Sequence, residues 1–138
     1  MQRITLENYL IVPCINLLNG MELKASDSRH RTKFLGLLKE AFEGLQESEK
    51  ALLTECAELD ESGNLKQSEK GTYTLKKDKA QEYHAEHKKL MDEKVIIEGG
   101  MHAHNVEAFG KILQDYDGVI SGAEAAAFDR LLEEFEKE

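Results

Sequence analysis

The stretch "KFLGLLKEAFEGLQESEKALLTECAEL", from Lys33 to Leu59, decides the fold. Its apolar side chains recur at alternating steps of three and four residues, the spacing that places them on one face of an α-helix. This apolar seam consists of Leu35, Leu38, Phe42, Leu45, Leu52, Cys56 and Leu59, interrupted only by Glu49. The pattern predicts one long helix over residues 26–59, and its heptad-like repeat predicts a partner helix packed along the seam.

The partner helix is predicted at residues 78–93. Its apolar face consists of Ala80, Tyr83, His87 and Leu90. Turn residues around Gly63 and the β-branched and aromatic run "GTYTL" separate the two helices, and they predict a small β-hairpin over residues 63–76. We therefore expect a long antiparallel helical hairpin with a β tip.

Shorter elements are predicted on both sides of this hairpin. Arg3 to Leu6 and Val95 to Ile97 have the composition of short strands. The segment "PCINLLN" predicts a short helix that starts at Pro13 and ends at Gly20 in a left-handed cap.

Two helices are predicted after the second strand, over residues 105–117 and 121–136. Asn105 is the expected N-cap of the first, and Ser121 with Glu124 forms a capping box for the second. Together these elements predict a single domain, residues 1–138, with a mainly helical α+β fold.

The charge balance restricts the function. The chain of 138 residues carries 18 basic and 27 acidic side chains, a net charge of -9. This charge repels nucleic-acid phosphate, so we expect a protein partner and no direct nucleic-acid binding. No apolar run approaches the roughly 20 residues of a membrane-spanning helix, and no signal-peptide pattern is present, so we expect a cytoplasmic protein.

Catalytic motifs are not found. The sequence has no GxxxxGK[ST], GxGxxG or GxSxG pattern, and Cys14 and Cys56 lie in apolar contexts without CxxC spacing. We expect two buried free thiols, no cofactor, no catalytic residue and no enzymatic activity.

Four histidines form two groups. His84 and His87 lie on the predicted helix 78–93, and His102 and His104 follow the strand in "VIIEGGMHAHN". Four imidazoles that met could hold zinc or another transition metal. Helical phase instead favours a core position for His87, and too few residues follow for a barrel-type metallohydrolase, so a metal site is not the favoured interpretation.

A basic cluster of Arg29, His30, Arg31 and Lys33 stands at the start of the long helix. Positive side chains oppose the helix dipole there, so they are not placed for helix stability. An arginine pair can grip a carboxylate or a phosphate, which makes this cluster a candidate site for a ligand or partner. The alternative is a set of ordinary exposed basic residues.

Three segments carry a resemblance to a known family: "ITLEN", the apolar stretch ending in "INLLNG", and "LKASDSRHRTKFLGLL" with its Ser-Arg-x-Arg. They resemble small proteins of unknown function encoded by phages and prophages of Gram-positive bacteria. The later "VIIEG" and the acidic "SGAEAAAFDRLLEEFE" are similar too. The resemblance implies a phage or prophage setting, and it brings no catalytic residues.

We therefore expect a non-enzymatic accessory protein that binds a host or phage protein, for example to inhibit a bacterial defence system. One alternative is a protein that sequesters a phosphorylated small molecule through Arg29 and Arg31. Another is a virion or assembly component, in which the apolar seam would support a homo-oligomer.

Overall fold

The computed structural model describes residues 3–67 and 72–137. The chain order is β1 (Arg3–Glu7), α1 (Ile11–Gly20), α2 (Ala25–Cys56), α3 (Ala80–Asp92), β2 (Lys94–Glu98), α4 (Ala103–Asp115) and α5 (Gly122–Glu136). Single 3-10 turns at Asn8–Leu10 and Gly100–His102 precede α1 and α4. The mainly helical α+β class predicted from the sequence is confirmed.

The backbone groups into two compact units. The first contains residues 1–43 and 94–138, and the second contains residues 44–93. Helix α2 contributes to both, up to Glu43 in the first and from Gly44 in the second. A single domain over residues 1–138 stays a prediction.

In the first unit, β1 and β2 form an antiparallel pair in which Ile4 lies opposite Ile97. Side chains alternate across a strand, so one face of the pair can be buried while the other meets solvent. Ile4, Leu6 and Ile97 are buried, whereas Ile96 is exposed. The buried face packs into one core with side chains from α1, α2, α4 and α5.

Three phenylalanines pack α2, α4 and α5 against each other. The rings of Phe34 and Phe109 stack with centroids 5.3 Å apart, and Phe135 meets them edge-on at 5.6 and 6.0 Å. Helix α5 comes close to α4 at Gly110, where an added Cβ would lie 2.5 Å from Phe135 Cδ1. Glycine at this position is therefore a packing requirement.

In the second unit, the C-terminal part of α2 and helix α3 run antiparallel. Glu49 bonds to His87, and the Cys56 carbonyl accepts the Lys76 amide just before α3 begins. These bonds make a helical hairpin of α3 and the C-terminal part of α2, although no α3 side chain is buried.

The predicted β tip at residues 63–76 is only partly described, because residues 68–71 lie outside the described residues. Around them the structure has isolated bridges, Ala57 with Leu75, Leu59 with Leu65 and Gln67 with Tyr73. Leu59 is therefore part of the tip, and the long helix ends at Cys56, three residues earlier than predicted.

Helix α1 ends at Gly20 and α5 has Ser121 as its N-cap, both as predicted, but other details of the predicted caps were wrong. Gly20 does not adopt a left-handed conformation, and α1 passes directly into an extended Met21. Asn105 lies inside α4, whose N-cap is His102. Ser121 is the N-cap of α5 as predicted, but its side chain makes no capping hydrogen bond to the described residues.

Four of the seven side chains of the apolar seam are buried within the chain. Leu35, Leu38, Leu45 and Cys56 are buried. Among the described residues, none of the helices combines the length and the apolar character that crossing a membrane requires.

Candidate functional site: a cleft between α2 and α4

A cleft of about 740 Å³ opens in the first unit where α1 ends, α2 begins and α4 gives way to the segment before α5. A second cavity of about 370 Å³ adjoins it, and the two share Asp27, Lys111 and Ile112. Local sequence explains the opening, because α1 and α4 both end without a continuing helical turn and the chain leaves each in extended conformation. Gly118 belongs to the lining, and an added Cβ there would overlap the Tyr116 hydroxyl.

The lining combines acidic and apolar side chains. The acidic residues are Glu22, Asp27, Glu107, Asp115 and Asp117, against one lysine, Lys111. The apolar lining includes Leu23, Ile112 and Val119, and Val119 is fully exposed. A surface with apolar contact area and surplus carboxylates suits a ligand that is both cationic and partly apolar.

Two histidines line the second cavity. His30 on α2 and His104 on α4 meet edge to face, with ring centroids 5.8 Å apart. Asn105 Nδ2 lies 3.1 Å from His30 Nδ1. In this contact the Asn105 amide donates and Nδ1 accepts.

Arg31, from the predicted basic cluster, lies outside the lining and is engaged with the backbone. Its Nη1 donates to the carbonyls of Leu18 at 2.7 Å and Met21 at 2.9 Å, and its Nη2 donates to Ser28 Oγ at 3.0 Å. The guanidinium therefore caps the C-terminus of α1, the negative end of that helix dipole. This explains why a positive residue stands near the start of α2, where it opposes that helix's own dipole.

The other members of the cluster differ in their surroundings. Arg29 and Lys33 are exposed, and His30 is half-buried at the cleft. Phosphate binding by Arg29 and Arg31 stays a prediction, and it would require Arg31 to release the carbonyls that it caps.

The two histidine groups belong to different units. His87 Nε2 lies 3.0 Å from Glu49 Oε2, and the His87 ring stacks on Tyr83 with centroids 5.5 Å apart. His84 is exposed beside Tyr83, and His102 is the N-cap of α4. Within residues 3–67 and 72–137, no three His, Cys, Asp or Glu side chains are grouped as metal ligands would be.

A buried ionic cluster lies away from the cleft, on α5. Glu134 is the one buried charged residue among those described. Burial by itself would raise its pKa, but hydrogen bonds from Lys137, Arg130 and the Thr5 amide outweigh this and lower the pKa to about 2. Arg130 also lies 3.4 Å from Glu7.

Two bonds of this cluster end on backbone groups of β1, and a structural role accounts for them. Shifted pKa values often mark functional sites, but ion pairs that hold a fold together produce them as well. The Glu134 and Arg130 side chains both bond to the Thr5 backbone, which fixes α5 to β1.

Sequence reasoning missed most of the cleft. Asp27, Lys111, Asp115 and Asp117 are spread over two helices and a loop, so no local spacing joins them. The available signal was "DYDGV", in which two aspartates and a glycine interrupt the apolar pattern after α4. Comparison with protein-family models, with curated proteins and with solved structures found no match.

Proposed function

We propose that this chain is a non-enzymatic phage or prophage accessory protein that acts by binding a host or phage protein. We further propose that the partner belongs to a bacterial defence system and that the cleft receives a basic segment of it. The observation that carries the proposal is the lining of the cleft, where carboxylates of Glu22, Asp27, Asp115 and Asp117 surround apolar contact area. The phage setting rests on the resemblance described above.

The charge of the cleft supports a protein ligand with Lys or Arg side chains next to apolar ones. Apolar contact supplies affinity and is insensitive to salt, whereas the carboxylates select for positive charge and speed association. A defence protein that holds nucleic acid presents basic segments of this kind. Occupying such a segment would exclude its nucleic acid, because both compete for the same positive side chains.

A direct test uses a fluorescent synthetic peptide of alternating Lys and Leu pairs as the probe, followed by anisotropy. We expect saturable binding that weakens as salt is raised. The variant Asp27→Asn/Asp115→Asn/Asp117→Asn should bind at least about tenfold more weakly, which corresponds to about 1.4 kcal/mol.

The matched control is Asp129→Asn/Glu133→Gln/Glu136→Gln on α5, which removes the same number of negative charges from exposed positions outside the cleft. This control should bind like the unaltered chain. Equal weakening in both variants would mean that overall charge causes the binding, and it would exclude the cleft as the binding site. Salt-insensitive capture of a partner from bacterial cytoplasm would reject nucleic-acid mimicry.

A further inference from the structure

The outer edge of β2 has open backbone hydrogen-bonding groups. The Thr5 amide donates to Glu134 and the Thr5 carbonyl accepts from Arg130, so both groups point away from β2. Opposed residues of an antiparallel pair alternate between those that exchange backbone bonds and those that do not. Thr5 lies opposite Ile96, so the amide and carbonyl of Ile96 also point outward, away from β1.

The same alternation applies two residues away on either side, at Lys94 and Glu98. No backbone bond from the described residues reaches the amide or carbonyl of Lys94, Ile96 or Glu98 along this edge. Side chains of the same three residues share one face of the strand, because faces alternate along it. Ile96 is 55% exposed at the centre, with exposed Lys94 and Glu98 on either side.

A groove of about 250 Å³ lies between β2 and the part of α2 that contains Leu37, Glu40 and Ala41. An open strand edge with an exposed apolar centre is a template for pairing with another strand, and a two-stranded sheet gains stability from added strands.

We propose that β2 pairs antiparallel with β2 of a second copy of this chain, centred on Ile96, and so forms a four-stranded sheet. In this register Ile96 faces Ile96 of the second copy, and Lys94 faces Glu98 of the second copy twice, once on each side of the two-fold axis. The segment "KVIIE" is thus complementary in charge to its own antiparallel copy.

The neighbouring strand extends this complementarity. Arg3 lies opposite Glu98 within one chain and forms an ion pair with it at 3.1 Å, and Glu7 lies opposite Lys94. On each side of Ile96, a row of charged side chains would then cross the four-stranded sheet with alternating sign. The row consists of Arg3 and Glu98 of one chain, followed by Lys94 and Glu7 of the second copy. An in-register parallel pairing would place like charges opposite each other, which is unfavourable.

The proposed dimer uses a different surface from the cleft. The cleft is lined by residues of α2, α4 and their flanking segments, whereas the dimer would be made by β2. Substitutions at the edge therefore test self-association without altering the acidic lining of the cleft.

The first test is sedimentation of the full chain between about 1 µM and about 1 mM, a range that detects weak dimers. We expect the mass to rise from monomer to dimer with concentration. Ile96→Lys places two ammonium groups opposite each other and should raise the dissociation constant at least about tenfold. Val12→Lys, at a similarly exposed apolar position on α1, is the matched control and should leave it unchanged.

The second test exchanges charges and protects the result against misfolding. Lys94→Glu alone and Glu98→Lys alone each place like charges opposite each other in a homodimer, so each variant should be monomeric while its circular dichroism stays helical. Mixing the two restores opposite charges at both ends of the paired strands and should produce a heterodimer.

Three outcomes would overturn the proposal. The unaltered chain could stay monomeric throughout, which would leave the edge to a different protein. Its dimer could be unaffected by Ile96→Lys, which would place the interface elsewhere. The mixed charge variants could also fail to associate, which would exclude the antiparallel register centred on Ile96.

Discussion

The Glu134 carboxylate accepts a hydrogen bond of 2.9 Å from the Thr5 amide, so a helix side chain occupies the position that a third strand would take beside β1. One turn earlier on α5, Arg130 donates to the Thr5 carbonyl, also at 2.9 Å, and to Glu134 at 2.7 Å. The two side chains together satisfy both backbone groups of Thr5. This closes one edge of the small sheet, while the edge formed by β2 stays open.

Stability should fall in acid because of Glu134. Its pKa in the folded chain is about 2, below the ordinary value of 4.5, so its ionised form stabilises the fold. That contribution is fully present above about pH 4.5 and is lost as the pH falls towards 2. A shift of this size corresponds to about 3 kcal/mol, measurable by urea unfolding at a series of pH values.

Glu134→Gln should reduce stability at neutral pH by about 3 kcal/mol, since it leaves Arg130 without its closest anion in a buried setting. It should also make the stability of the fold depend less on pH in acid. Glu133→Gln changes the same chemical group at an exposed neighbouring position and should do neither. An unchanged acid dependence in Glu134→Gln would show that other carboxylates are responsible.

Arg31→Ala should destabilise the chain by about 1–3 kcal/mol, because α1 loses the cation that caps the carbonyls of Leu18 and Met21. Arg29→Ala removes the same charge from an exposed position and should change stability by less than about 0.5 kcal/mol. Thermal or urea unfolding of both variants decides the matter. Similar losses in the two would mean that the cap contributes little.

Gly110→Ala should destabilise the first unit by about 1–3 kcal/mol, since the new methyl group would collide with the ring of Phe135. Gly36→Ala provides the opposite case, because this glycine lies in α2 with open space around its Cα. Alanine there should stabilise the helix by about 0.5–1 kcal/mol. The two substitutions should change the free energy of unfolding in opposite directions. A Gly110→Ala protein as stable as the unaltered chain would contradict the close packing of α4 and α5.

The part of the fold that could be predicted from sequence depends on local periodicity. Leu35, Leu38 and Leu45 revealed the long helix because burial of one helical face imposes a spacing that is visible in the chain itself. Phe34 was missed, although it is fully buried, because residues beside that regular spacing become buried only when α4 and α5 pack against α2.

The cleft and the caps depend on contacts between distant segments. Arg31 reaches back to Leu18, and His104 meets His30, but no local pattern encodes either contact. The sequence marked Arg31 as unusual because its charge opposes the dipole of its own helix. It could not show that a second helix end lay within reach of the guanidinium.

The two cysteines should resist alkylation in the folded chain and report separately on its two units. Burial raises the pKa of Cys14 to about 12, and burial also raises the pKa of Cys56, so neither thiol supplies much of the reactive thiolate at pH 8. Both side chains are buried, hence iodoacetamide should reach each only through local or global opening.

Cys14 lies in the first unit and Cys56 in the second, so mass spectrometry of separate peptides during a urea titration should follow the opening of each unit separately. Coincident labelling curves would show that the units unfold together, whereas earlier labelling of Cys56 would show that residues 44–93 open first. Rapid labelling of Cys14 without urea would contradict the buried position of its thiol in the core.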